Sequence, residues 1–179
     1  MKKSMIALAT AGLMASAVSS AQADDFTYVS GGIYDFGDSD IYLEGSMRLN
    51  PNLVLSAQYT NAAEFSLYAG GKYFVDFGQS QDVETFIQAG VSHYDFSDGP
   101  GFSGGDDTGV YAGAGFTTKF DQYSRFIVDA RYDTVLDGFF SVGARFRYEF
   151  LDRLSGDVGY RVNTSGIDNE VRVGLTYSF

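Results

Sequence analysis

The chain has 179 residues, no cysteine, two prolines and a formal net charge of −11, from 12 basic and 23 acidic residues. Without cysteine there is no disulfide framework, and the acidic balance argues against nucleic acid as a partner. The length fits one domain, and Gly, Tyr and Phe are plentiful while helical periodicity is absent.

The first residues read as a secretory leader. Lys2 and Lys3 form a basic head, Met5 to Val18 a short apolar run, and Ala21-Gln22-Ala23 an A-x-A cleavage site. The run is shorter than the roughly 20 residues that a spanning helix needs. The expected division is therefore a signal peptide over 1–23 and a mature domain over 24–179. No cysteine follows the cleavage site, so no lipid anchor is expected. No second long apolar run follows either, so no membrane helix is expected after processing.

A first strand is expected over Phe26 to Phe36. Its facing is ambiguous: even positions carry Phe26, Tyr28, Tyr34 and Phe36, odd positions Val29 and Ile33. From Ile41 onward apolar and polar residues alternate with period two, the mark of strands. Ile41, Leu43, Met47 and Leu49 oppose Tyr42, Glu44, Ser46 and Arg48. Leu53, Leu55, Ala57 and Tyr59 oppose Ser56, Gln58 and Thr60. Phe65, Leu67, Ala69, Tyr73 and Val75 oppose Glu64, Ser66, Tyr68 and Lys72. Val83, Thr85, Ile87, Ala89 and Val91 oppose Glu84, Phe86, Gln88 and Ser92.

The second half repeats the pattern. Val110, Ala112, Ala114 and Phe116 oppose Tyr111, Thr117 and Lys119. Phe126, Val128, Ala130 and Tyr132 oppose Arg125, Asp129 and Arg131. Phe140, Val142, Ala144, Phe146, Tyr148 and Phe150 oppose Ser141, Arg145, Arg147 and Glu149. Val158, Tyr160 and Val162 oppose Asp157 and Arg161. Val171, Val173, Leu175, Tyr177 and Phe179 oppose Glu170, Arg172, Thr176 and Ser178. The count is ten strands, with eight as the alternative.

Charge placement separates two all-β architectures. A soluble sandwich would bury the apolar face and wet the charged one. A barrel in lipid turns the apolar face to hydrocarbon and the charged face to its lumen. Arg48, Lys72, Lys119, Arg125, Arg131, Arg145, Arg147, Arg161 and Arg172 all fall on the polar face, and no charge falls on the apolar face of strands two to ten. Strand cores of about 9–13 residues suit a tilted crossing, and aromatics such as Phe65, Tyr73, Tyr132, Tyr148 and Phe150 sit at strand ends as interfacial girdles do. The expected fold is a closed, antiparallel, up-and-down transmembrane β-barrel. An even count puts both termini on the periplasmic side.

Turns are expected on that side near Asn50–Asn52, Asp76–Asp82, Asp121–Ser124 and Leu151–Gly156. Outer loops are expected near Gly37–Asp40, Asn61–Ala63, Asp95–Thr108, Asp133–Gly138 and Thr164–Asn169. The outer set is acidic (Asp35, Asp38, Asp40, Asp95, Asp98, Asp106, Asp107, Asp133, Asp137 and Asp168) and free of Lys and Arg. It reads as a solvated acidic surface, or as a bridge through divalent cations to lipopolysaccharide.

The lumen network is expected to comprise Arg125, Asp129, Arg131, Arg145, Arg147, Glu149, Arg161, Glu170 and Arg172, with Glu44, Glu64, Glu84 and Asp157 as further acids. Near balance of signs suggests pairing that fills the interior; glycines such as Gly70, Gly90, Gly113, Gly143 and Gly159 leave room for a thin polar path. No catalytic, cofactor or metal set emerges. The one histidine, His93, points away from its neighbour Ser92 on a strand, so the two cannot form a dyad directly.

The chain ends Arg172-Val-Gly174-Leu-Thr-Tyr177-Ser-Phe179. Polar residue, glycine, aromatic and terminal aromatic at these positions resemble the assembly signal of small outer-membrane β-barrels, such as the OmpA transmembrane domain and OmpX-like proteins. The resemblance implies insertion into the outer membrane by the barrel assembly machinery. A monomer among lipid and lipopolysaccharide is expected, because nothing breaks the lipid-facing band. Ten strands and mostly short loops depart from the usual eight-stranded members, and no peptidoglycan-binding domain of the OmpA kind follows the last strand. The expected function is a non-catalytic structural or surface-interaction role, with a narrow porin-like channel for small polar or ionic solutes as the alternative.

Overall fold

A computed structural model describes residues 26–34, 40–61, 64–76, 82–96, 105–165 and 167–179. The expected leader lies outside these residues. Ten strands follow in order: β1 (Tyr28–Tyr34), β2 (Asp40–Asn50), β3 (Leu53–Thr60), β4 (Glu64–Val75), β5 (Val83–Phe96), β6 (Gly105–Lys119), β7 (Ser124–Asp133), β8 (Phe139–Leu151), β9 (Leu154–Asn163) and β10 (Glu170–Ser178). Each pairs antiparallel with its sequence neighbours, and β1 pairs with β10 to close the barrel. The closing seam runs from Tyr28↔Ser178 to Tyr34↔Arg172. The Phe179 amide donates to the Thr27 carbonyl at 3.1 Å just beyond it. Closure leaves no ladder edge unpaired, which a hydrocarbon surrounding requires.

The burial pattern is that of an inside-out protein. Ile87, Val110 and Leu175 are more than half exposed, at 55%, 58% and 55%, whereas Ser30, Ser92, Ser141 and Thr176 are almost wholly buried, at 1%, 0%, 0% and 0%. A soluble sandwich would show the reverse. Outward side chains of the ten strands form an apolar band around the middle of the wall; inward ones point into the bore. The ambiguous first strand resolves on this basis. Tyr28, Ser30 and Tyr34 are buried inward, and Ile33 is exposed outward.

Tight turns join the strands at the end where β1 begins and β10 finishes. Asn50 Oδ1 accepts the amides of Asn52 and Leu53, both at 3.0 Å, across Pro51. Asp121 Oδ1 does the same for Tyr123 and Ser124 at 2.8 and 2.7 Å. Side-chain and backbone donors of this turn, Ser124 first, hold the Asp121 carboxyl below its ordinary range. Asp152-Arg153 makes the β8–β9 turn, with Arg153 in the left-handed region at φ 66°.

Two expectations need correction at the other end. The loop expected over Asp95–Thr108 is partly ladder: β5 and β6 stay paired from Val83↔Thr118 to Phe96↔Gly105. Alternation with period two is demanded only where one face meets lipid; beyond that band backbone pairing continues without it. The same extension puts charges on the outward face of strands five and six, because Asp95 and Asp106 stand directly opposite each other. At 14 and 15 residues, β5 and β6 are twice as long as β1, at 7. The expected loop over Asp133–Gly138 is a turn folded over the mouth. Val135 is fully buried there, and Leu136, Asp137 and Gly138 follow with φ of 56°, 63° and 92°.

A charge on the outward face tests the sorting. Val173→Arg, central on β10, is expected to lower stability in lipid vesicles by about 2–4 kcal/mol, read from urea unfolding. The same change at Asp106, on the projecting hairpin, is expected to leave the unfolding midpoint within experimental error.

Candidate functional site

Among the described residues the polar and charged side chains gather in the lumen, in layers. At the end holding the chain termini, Phe26, Val54, Phe74, Phe86 and Ile127 form a buried apolar cluster. The rings of Phe26 and Phe74 lie 4.8 Å apart, and those of Phe74 and Phe86 5.6 Å. Two guanidinium groups stack on Phe26: Arg48 at 4.6 Å and Arg125 at 4.7 Å from the ring centre. Such contacts are worth about 0.5–2 kcal/mol each, more when water is excluded. Arg48 also reaches Glu84 at 3.8 Å near the rim.

Above this layer lies a belt of charges. Arg145 reaches Glu44 at 3.1 Å and Arg172 reaches the same carboxylate at 3.2 Å. Glu44 also accepts the Tyr28 hydroxyl at 2.5 Å. Glu44 is on β2 and Arg145 on β8, which are not neighbours in the wall, so this pair spans the bore. Arg161 holds both Asp129 oxygens at 2.9 Å and Glu170 at 3.6 Å. Arg147 Nε donates to Asp157 at 2.9 Å, and Thr176 donates to the other Asp157 oxygen. Gln88 donates to Asp129 at 3.3 Å. Glycine makes the belt possible. A Cβ on Gly143 would come within 2.7 Å of the Arg161 guanidinium, and one on Gly159 within 3.2 Å of Arg172. Both arginines lie flat in the recess left by a missing side chain. Between them a polar cavity of about 20 Å³ remains, lined by Gln58, Asp129, Arg145, Arg161, Glu170 and Arg172. It has room for one water-sized guest.

The outer mouth is aromatic. The Arg131 guanidinium lies 4.0 Å from the Tyr68 ring centre and 5.6 Å from that of Tyr111. Tyr94 meets Tyr68 and Phe139 edge-on at 5.6 and 6.2 Å. Asp133 Oδ1 accepts Ser92 Oγ at 2.7 Å and the Val135 amide at 3.2 Å, which pins the overlying turn. Asp107 Oδ2 accepts the Leu136 amide at 2.7 Å from the projecting hairpin.

Of the expected network, Asp129, Arg145, Arg147, Arg161, Glu170 and Arg172 come together in the belt. Arg131 and Arg125 face inward but stack on rings. Glu149 lies apart at the terminal rim, where it accepts the Arg153 amide at 3.3 Å. Lys119 shares the inward parity but is exposed at the strand end. Glu44 is the hub that the charge pattern counted without singling out. Val54, Phe74, Ile127 and Phe139 were not expected in the lumen at all. Their signal is an apolar residue at a polar-face parity near a strand end.

The terminal motif divides by parity. Arg172 and Gly174 face the lumen; Tyr177 and Phe179 face outward with rings 5.3 Å apart. Gly174 is required by packing, because a Cβ there would strike the Tyr42 hydroxyl. His93 is outward-facing, with Nδ1 2.8 Å from Thr108 Oγ1 and its ring against Phe65. Among the described residues no group of three His, Asp or Glu is placed to hold a metal ion. Asp35, Asp38 and Asp98 lie outside the described residues.

Removing the hub carboxylate is expected to be costly. Glu44→Gln leaves Arg145 and Arg172 without their shared counter-charge, and the urea unfolding free energy is expected to fall by about 3–5 kcal/mol. Glu149→Gln, at the rim, is expected to cost less than about 1 kcal/mol.

No protein-family model matches the chain, and no curated protein matches its sequence. Its fold is similar to that of solved porins. The KdgM porin shares 12% identity over 86% of this chain and 99% of its own, with a TM-score of 0.52. The NanC porin in a rhombohedral crystal form shares 11% over 85% and 99%, with a TM-score of 0.50. These likenesses show the fold, a closed antiparallel ten-stranded β-barrel like that of the porins, and do not bear out the OmpA or OmpX-like families in particular.

Proposed function

We propose that the protein is an integral outer-membrane barrel that acts as a narrow, porin-like conduit for small ions and polar solutes. The observation that carries this reading is the charged belt at mid-bore. Ionisable groups inside a membrane span are expensive, and they mark ion or substrate paths when they face a polar cavity. Filling the same space with apolar side chains would avoid the desolvation cost of each charge. Here two carboxylates, Asp129 and Glu170, and four guanidiniums, Arg131, Arg145, Arg161 and Arg172, line a water-sized cavity instead. The belt lies between the buried Phe26–Phe74–Phe86 layer and the turn that carries the buried Val135. An apolar constriction of this kind gates by excluding water, so conduction is expected to be low and intermittent.

A second reading is favoured by the same apolar layer: a static barrel whose cross-bore pairs brace the wall, with a structural or surface-interaction role. In both readings the protein is non-catalytic, monomeric, surrounded by lipid and lipopolysaccharide, and inserted by the barrel assembly machinery after export behind a cleaved leader. His93 faces lipid-side packing and Ser92 the lumen, so neither reading assigns them chemistry.

Planar-bilayer recording of the refolded protein separates the two. Wild type is expected to give small, discrete current steps. Phe74→Ala with Phe86→Ala, which opens the apolar layer, is expected to raise the step size and the open fraction. Silence from both proteins would overturn the conduit reading and leave the brace.

A further inference from the structure

The turn between β7 and β8 is folded into the mouth opposite the chain termini rather than away from it. Three inward positions of the neighbouring strands receive it. Ser92 on β5 donates to Asp133 Oδ1 at 2.7 Å, and the same oxygen accepts the Val135 amide at 3.2 Å. Asp107 on β6 accepts the Leu136 amide at 2.7 Å. Gly109, two residues further along β6, leaves the hollow that the turn enters: a Cβ there would come within 2.7 Å of Val135 Cγ1. Val135 is wholly buried in that position. On the other side Ser165 Oγ donates to the Gly138 carbonyl at 3.2 Å. Two features oppose this arrangement. Leu136, Asp137 and Gly138 stand in succession at φ 56°, 63° and 92°, a region that the side chains of the first two disfavour. Asp133 Oδ2, Arg131 Nε and the Tyr68 hydroxyl are buried at the same mouth without a hydrogen bond. They would meet water if the turn lifted.

We propose that residues 135–138 form a lid over this mouth, latched shut by Asp107 and Asp133, and that its lifting admits solvent and small polar solutes to the lumen beneath. The hinge is Thr134, which stays on the ladder: its amide donates to the Val110 carbonyl at 3.0 Å and its Oγ1 accepts the Val110 amide at 2.9 Å. Backbone strain and the dry polar atoms favour the lifted state. The two latches and the burial of Val135 favour the shut one. The balance rests on a few local contacts, so the turn opens without the wall. The lid is a property of the mouth, and it stands whether or not the bore beneath it conducts.

The chain has no cysteine, so one introduced thiol reports on one place. Val135→Cys puts it on the lid, and Val54→Cys puts it in the apolar layer at the other end, where Val54 is equally buried. Each refolded full chain is labelled in lipid nanodiscs with a water-soluble maleimide. Adding Asp107→Ala is expected to speed labelling at position 135 about tenfold, the effect of one lost hydrogen bond on an opening equilibrium. Labelling at position 54, which reports loosening of the whole barrel, is expected to stay unchanged. Hydrogen exchange of the wild type needs no variant if these fail to refold. The Leu136 amide is expected to exchange faster than the ladder amides of β7 and β8, yet more slowly than an unstructured peptide. Labelling at position 135 that ignores Asp107→Ala, or equal acceleration at both positions, would overturn the lid. So would a Leu136 amide as slow as the ladder or as fast as free peptide.

Discussion

In hydrocarbon a backbone amide has no water to turn to, and the rest of this molecule depends on that fact. Each N–H and C=O of the wall must find a partner in another strand. The ladder between β1 and β10 supplies the last of them, so ten strands pair all the way round. Closure creates an interior and an exterior, and the pleat then sends alternate residues to each. One sequence with period two thus satisfies two solvents. Leu175 meets the outside while its neighbours Gly174 and Thr176 meet the bore.

The interior carries the opposite problem. Side chains reach well into a barrel of ten strands and leave little room between them. Charged groups placed there lose much of their hydration, and each needs a counter-charge or a ring face. The belt answers with shared pairs, two arginines on Glu44 and two carboxylates on Arg161. The apolar end answers with stacking, as Arg48 and Arg125 both lie over the Phe26 ring. These contacts join strands far apart in sequence, so they tie opposite sides of the wall together. The same groups that stiffen the barrel are the ones that give its centre polarity.

Most of the wall was legible in the sequence. Alternation from Ile41 to Phe179, with the arginines on one parity, gave ten strands and their facing, because lipid penalises a misplaced charge strongly. The first strand was not legible, since Tyr28 and Tyr34 look like girdle residues yet turn inward. Strand ends past the lipid band were not legible either, because there pairing is set by the backbone of β5 and β6 and not by side-chain contrast. Within the lumen the charged parity was visible but the partners were not. Glu44 and Arg145 are 101 residues apart and meet only through closure. The inward Val54, Phe74 and Ile127 were missed for a simple reason: apolar residues near strand ends serve equally well on either face of an interface.

The glycine recesses behind Arg161 and Arg172 carry a consequence for how such a wall can diverge. Whether the bore is tight or loose is set by whether a few inward positions carry a Cβ, and those positions alternate with ones that lipid sees. A methyl group added at Gly143 would push the Arg161 guanidinium toward the axis without altering Val142 or Ala144 on the outer surface. Inner calibre and outer fit are thus separately heritable traits of a single strand, and descendants could exchange one interior for another while presenting the membrane with an unchanged coat.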